Sequence, residues 1–262
     1  EPVPTETNIK LSLMNNIINM INTNFIDNIE KRGSEINCGR KLKDIFIKYR
    51  KELEQIQPFT EKTCNDKFLN DIISNCEGNH MTFSTPTIEV LENCLKDNKI
   101  SPFDSLIPIS NKCVTDICNE LSELIEKILK HNYINRFTKL TTSLKQDVLT
   151  EILIKNQEIT IQKISEIIDI EKNYIWTDDN SFRNCLNTNN SKIDNASSLR
   201  LLCNEYFNSI KYIMQHNIPK YIMLFLVKKS EEELHNLLFE KTNQKEYLEF
   251  LIEDPIQNEK RI

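Results

Sequence analysis

Residues 141–176 contain neither glycine nor proline, and Leu144, Val148, Ile152, Ile159, Ile164, Ile168 and Ile175 recur along them at helical intervals. A single helix over that run is about 50 Å long at about 1.5 Å per residue. A helix of that length buries its apolar stripe only against neighbours of similar length, so the run predicts a rod. Its obvious partner lies towards the C-terminus, where an amphipathic run from Leu199 through Met214 reaches Pro219. Beyond Pro219 the chain restarts as Ile222, Met223, Leu224, Phe225, Leu226 and Val227, with almost no polar face. Such a segment must be enclosed by other helices. The expected fold is all-α, an elongated antiparallel four-helix bundle.

The rest of the chain agrees with long helices. Three glycines and eight prolines in 262 residues leave little material for turns. Leu13, Ile17, Ile21 and Phe25 fall every fourth residue and place a stripe on a helix from about Thr5 to Arg32. Gly33 and Gly39 then bracket a loop, after which Ile45, Tyr49 and Leu53 continue the stripe until Pro58 ends it. Leu121, Leu124, Ile125, Ile128 and Leu129 occupy one face without a fault, as a core-facing helix does. Between Phe59 and Pro108 the pattern is shorter, with residues 75–80 as a loop and Thr85-Pro86 as a helix start. Residues 183–198 are rich in Asn and Ser and read as a solvated tether.

The search for chemistry is mostly negative. A phosphate-binding loop needs two glycines four residues apart, followed by Lys-Ser or Lys-Thr, so that backbone amides wrap the phosphates. Gly33 and Gly39 are spaced otherwise and lead into Arg40, so no nucleotide site of that kind is expected. His80, His131, His216 and His235 show no metal spacing, and no G-x-S-x-G elbow occurs. Asp169 and Glu171 stand two apart, on different sides of a helix, which separates their carboxylates. No catalytic, cofactor-binding or metal residue is expected, and the chain by itself is not expected to be an enzyme. A net charge of -6 argues against a generally basic nucleic-acid binder. The row Lys41, Lys43, Lys48, Arg50 and Lys51, with Glu52 and Glu54 beside it, reads as a solvated mixed-charge face. Eight cysteines without a C-x-x-C pair are expected to be free thiols in a reducing compartment. No apolar run approaches the roughly 20 residues of a bilayer span. The first residues are neither basic nor followed by a signal-peptide core, and the missing initiator methionine suggests a fragment.

Several stretches, in order, carry a resemblance. Pro219-Lys220-Tyr221-Ile222-Met223, with Leu234, Leu237 and Leu238 downstream, resembles the GTPase effector region of the dynamin family. Cys38-Gly39-Arg40-Lys41-Leu42-Lys43-Asp44-Ile45-Phe46 is similar to that family's Gly-Gly-Ala-Arg-Ile-x-x-Ile-Phe element. Phe83-Ser84-Thr85-Pro86 and Lys112-Cys113-Val114 have counterparts in its middle domain. Arg136-Phe137-Thr138-Lys139-Leu140 and Ile168-Asp169-Ile170-Glu171-Lys172-Asn173-Tyr174-Ile175-Trp176-Thr177 resemble Arg-Phe-Pro-x-Leu and Ile-Asp-Ile-Glu-x-x-Tyr-Ile-Asn-Thr. The likeness runs from about Met14 to Arg261.

The resemblance implies a dynamin-type stalk: residues 5–182 as the middle-domain part, 183–198 as a short tether where a membrane-binding module is inserted in relatives, and 199–262 as the effector part. The tether is either a minimal insert or the remnant of an omitted one. The implied function is self-assembly, as dimers and then helical oligomers, for membrane remodelling or fission. GTP and Mg belong to a GTPase head outside this chain. Gly39, Arg40 and Lys41, and Gly78, Asn79 and His80, would be assembly loops; read from the residues alone, both are turns between helices. Tyr174, Trp176, Ile222, Met223 and Leu226 would form a dimer patch or core. Cytoplasmic location, recruitment to membranes through the parent protein or adaptors, and no nucleic-acid partner complete the expectation. The alternative is an independent helical scaffold or a disulfide-stabilised surface adhesin.

Overall fold

The computed structural model describes residues 7–31, 37–77, 87–97, 100, 102–188, 195–242 and 244–252. Among the described residues there is no strand, so the chain is all-α. The helices are α1 (Thr7–Glu30), α2 (Cys38–Glu54), α3 (Asp66–Glu77), α4 (Thr87–Lys96), α5 (Leu106–Leu129), α6 (Asn132–Asn135), α7 (Thr138–Asp147), α8 (Lys155–Asn173), α9 (Asn180–Thr188), α10 (Ala196–Tyr221), α11 (Lys229–Thr242) and α12 (Lys245–Glu249). Short polar side chains start several of them by accepting from otherwise orphaned amides. Asn65 Oδ1 takes the Phe68 N–H at 2.9 Å, Asp179 takes those of Ser181 and Phe182 at 2.9 and 3.1 Å, and Asn195 takes that of Ser198 at 2.9 Å. Asn37, at φ 49°, turns the chain into α2 and offers its carbonyl to the Arg40 amide at 3.2 Å.

Two joints depart from plain α-helix. Val148–Ile154 between α7 and α8, and Ile222–Lys228 between α10 and α11, are π-helical. The expected long helix over 141–176 is therefore helical from Thr138 to Asn173, with a widened segment inside it. Pro219 does not restart a helix as expected; it lies within α10. It has no N–H for the preceding turn, and the ladder widens directly downstream, one way a helix absorbs such a fault. No glycine or proline marks the earlier π segment. There the Cys118 thiol donates to the Leu153 carbonyl at 3.9 Å.

The chain forms two compact units, one of residues 1–46, 113–162 and 220–262, the other of 47–112 and 163–219. In the first, cross-helix pairs fix directions. Glu126 meets Lys145, Cys118 meets Leu153 and Thr115 meets Gln157, so α5 runs antiparallel to the α7–α8 stretch. Asn156 meets Ser230, Glu151 meets Lys241 and Asp147 meets Tyr247, so the effector segment runs antiparallel to that stretch in turn. Asn22 pairs with His235 and Glu30 with Lys228, which lays α1 antiparallel along α11. The result is an antiparallel helical bundle. Its core takes Met14, Ile17, Ile21 and Phe25 from α1, the predicted Leu121, Leu124, Ile125, Ile128 and Leu129 from α5, and Leu234 and Leu238 from α11.

In the second unit α10 is the organising helix, burying Leu199, Leu202, Cys203, Tyr206, Phe207, Ile210 and Met214 along one stripe. Phe207 meets Phe59 and Phe103 edge-on, each at 6.3 Å between ring centroids, and Tyr206 meets Phe182 at 5.6 Å. The break that Pro58 imposes on the first stripe is held from the side by three α10 residues. Arg200 Nη2 donates to the Cys64 carbonyl at 2.8 Å, Asn204 Nδ2 to that of Phe59 at 3.4 Å and Lys211 Nζ to that of Ile56 at 3.1 Å. These carbonyls belong to a non-helical turn, which needs such partners to be packed.

Residues 183–198 are not a solvated loop throughout. α9 continues to Thr188, with Phe182 and Cys185 buried, and α10 begins at Ala196. Phe182 and Cys185, a turn apart and with Leu186 beside them half-buried, seat a short helix whose remaining positions are polar.

Candidate self-assembly surface

Surface for association is apolar side chain left in water after the core has formed, so each candidate residue is placed by what it touches. Gly39, Arg40 and Lys41 do not form a loop; they lie in the first turn of α2. Gly39 faces the carbonyl of Ile29 in α1, where a Cβ would collide with backbone. Lys41 reaches across to α5 at the surface, donating to Glu120 Oε2 at 2.5 Å and lying 3.5 Å from Glu123. The hydrogen bond to Glu120 lifts the Lys41 pKa above its usual value, since the charged form is the one being held. Arg40 alone of the three is exposed. Gly78, Asn79 and His80 lie outside the described residues.

Of the effector residues, Ile222 and Leu226 are fully buried and Met223 is half-buried, so the first two are core. The apolar block is not wholly enclosed, however: Leu224 is 59% exposed. Tyr174 and Trp176, which follow the end of α8, are 73% and 67% exposed and take no part in the core. Ile170, one helical turn before Tyr174, is 63% exposed on the same side of α8. Sequence reading missed Ile170 and Leu224, because an isoleucine or leucine inside an apolar pattern is assigned to the core by default. The spacing of four to Tyr174 was the available signal for Ile170.

Oppositely charged side chains pair near Ile170, Tyr174 and Trp176. Asp178 pairs with Arg183, and Lys172 reaches Asp104 at 3.2 Å. Glu171 is driven upward in pKa by burial, being turned away from the patch into the unit.

Elsewhere in the first unit, a cleft of 610 Å³ is lined by Thr138, Lys139, Thr142, Ser143, Gln146, Asp147 and Phe250. Beneath it Tyr247 hydrogen-bonds to Asp147 and lies 3.0 Å from the Ser143 hydroxyl, while Lys241 stands 3.5 Å from the same aspartate. The charges of Asp147 and Lys241 thus answer each other. Among the described residues no cluster of His, Cys, Asp or Glu could hold a metal ion, and no helix is long and apolar enough to cross a membrane. Gly39, inside a helix, does not have the loop backbone of a phosphate cradle.

Comparisons with known proteins cover the whole chain. Residues 1–191 match the family model for the dynamin central region, and residues 191–262 match that for the dynamin GTPase effector domain. Comparison with curated proteins gives no match.

Proposed function

The chain belongs to the dynamin family, comprising its central region and GTPase effector domain, and on that premise we propose that it is the stalk through which the parent protein dimerises and then builds larger oligomers. The observation that carries this reading is the row of Ile170, Tyr174 and Trp176, each about two-thirds exposed on a well-packed unit. Large apolar side chains in water are a standing cost of about 25 cal/mol per Å² that contact with another surface removes. Aromatic residues at a patch centre are also those on which association energy concentrates. Leu224 extends the exposed apolar surface of the effector segment.

In this reading the parent protein carries a GTPase head that binds GTP and Mg, and the stalk converts head-to-head contact into membrane remodelling or fission. Its place is the cytoplasm, with recruitment to membranes through the parent protein or adaptors and without a nucleic-acid partner. The tip roles of Arg40 and of residues 78–80 belong to the same proposal. Gly39 and Lys41 enter it differently, as residues that set α2 against α1 and α5. The alternative reading as a disulfide-stabilised adhesin has less support, since no disulfide joins the cysteines among the described residues.

Sedimentation velocity over a range of concentrations tests the proposal. Weight-average mass should rise from monomer to dimer and beyond as concentration increases. A concentration-independent monomer contradicts it.

A further inference from the structure

Asn156 is the second residue after the π segment Val148–Ile154, and Ser230 is the second after Ile222–Lys228. The two meet inside the first unit, at 0% and 1% exposure. Asn156 Nδ2 donates to Ser230 Oγ at 3.2 Å and to Glu233 Oε2, almost one helical turn further on, at 3.1 Å. Thr160, equally buried, donates its hydroxyl to the Asn156 carbonyl at 2.6 Å. Asn156 Oδ1, by contrast, is buried with no hydrogen-bond partner among the described residues. Because the two stretches run antiparallel, one π segment lies to each side of this contact.

A buried amide with its oxygen unanswered is a poor source of stability. What such a group supplies is a choice between alignments that apolar side chains leave open. We propose that the Asn156–Ser230 pair is a register lock. It holds the effector segment in one axial and one rotational setting against the α7–α8 stretch, and so keeps Ile222–Lys228 π-helical.

Sliding the effector segment by one turn brings Leu226 or Leu234 opposite Asn156 in place of Ser230, and both amide hydrogens then lack acceptors inside the core. Rotation is opposed in the same way. A π segment closes its bonds over one residue more than an α-helix, so tightening it to α turns everything downstream by about 100° and swings Ser230 off Asn156. The neighbouring contacts discriminate less. Buried aliphatic side chains such as Ile152, Leu153, Leu234 and Leu238 repack in more than one alignment. Lys241 lies 3.5 Å from Asp147 and 3.1 Å from Glu151, which stand one turn apart, so a one-turn slide still leaves it beside a carboxylate.

Methyl NMR of the full chain, diluted to where it is monomeric, tests the lock alongside chemical denaturation. The native chain should give one set of methyl resonances for Leu226, Leu234 and Leu238. Asn156→Leu should keep or raise the denaturation midpoint and yet show a second set at roughly 10% of the first or more, the upper end of ordinary minor-state populations. The double swap of Asn156→Ser with Ser230→Asn returns the pair in reverse and should restore a single set. An ordinary stabilising hydrogen bond gives a different result: Asn156→Leu with a lowered midpoint, or unfolded, and no second set. That outcome overturns the proposal, as do two sets in the native chain, a single set in a stable Asn156→Leu, or a folded swap that stays doubled. Should the swap not fold, the Asn156→Leu spectrum decides alone.

Discussion

Gly39 in the first turn of α2 lies directly against the main-chain carbonyl of Ile29 near the end of α1, so closely that any Cβ would strike backbone rather than a movable side chain. A glycine inside a helix normally costs about 1 kcal/mol relative to alanine. Here the close approach outweighs propensity. Gly39→Ala should destabilise the chain by about 1–3 kcal/mol, the usual penalty for overpacking, with a lower chemical-denaturation midpoint as the readout. A stabilised variant would show that α1 and α2 are further apart than described.

Arg200 should matter out of proportion to its partial exposure. Its bond to Asp66 is at the surface and contributes little, but its bond to the Cys64 carbonyl satisfies a packed turn. Arg200→Ala is expected to cost about 1–3 kcal/mol and to speed amide hydrogen exchange over residues 55–65 while leaving α1 and α11 unchanged. Uniform acceleration across both units would contradict this local role.

Leu226 is fully buried in the first unit. Leu226→Asp places a carboxylate among apolar side chains, a change of about 4 kcal/mol or more, and should abolish the cooperative melting transition. Retained helicity with a normal melting curve would count against the packing of the effector segment.

Glu171 gives a pH signature. Burial raises its folded pKa above the ordinary glutamate value of about 4.3. The folded state therefore holds the proton more tightly than the unfolded state, and the cost of ionising Glu171 is absent below the unfolded pKa and fully present above the folded one. Glu171→Gln should be more stable than the parent at neutral pH, with the difference vanishing as pH falls through that window. An equal gain at all pH values would assign the effect to something other than ionisation.

Much of this architecture was legible in sequence because it depends on period. The α5 positions from Leu121 to Leu129 and the α1 stripe through Ile17 and Phe25 are buried as their spacing requires, and Pro58 ends a helix for a reason visible in its ring. What escaped depends on contacts between remote residues. Gly39 read as a loop because its need, room for the Ile29 carbonyl, lies in another helix. Most of α9 read as solvent because Cys185 and Leu186 are two residues among many polar ones. The π segment at Val148–Ile154 contains no breaker. Of the assembly candidates, Tyr174 and Trp176 were recognised as aromatics at a helix end, but their exposure, and that of Ile170 and Leu224, emerges only once the core is filled.

The most direct measurement compares sedimentation of the parent chain with Trp176→Ser and Tyr174→Ser over the same concentrations, with circular dichroism to verify that the fold is intact. Both side chains are exposed, so helicity and melting should be unchanged while association weakens at least several-fold and the monomer persists to higher concentration. Folded variants that associate as the parent does, or a parent chain that never associates, would contradict the claim that this surface builds the assembly.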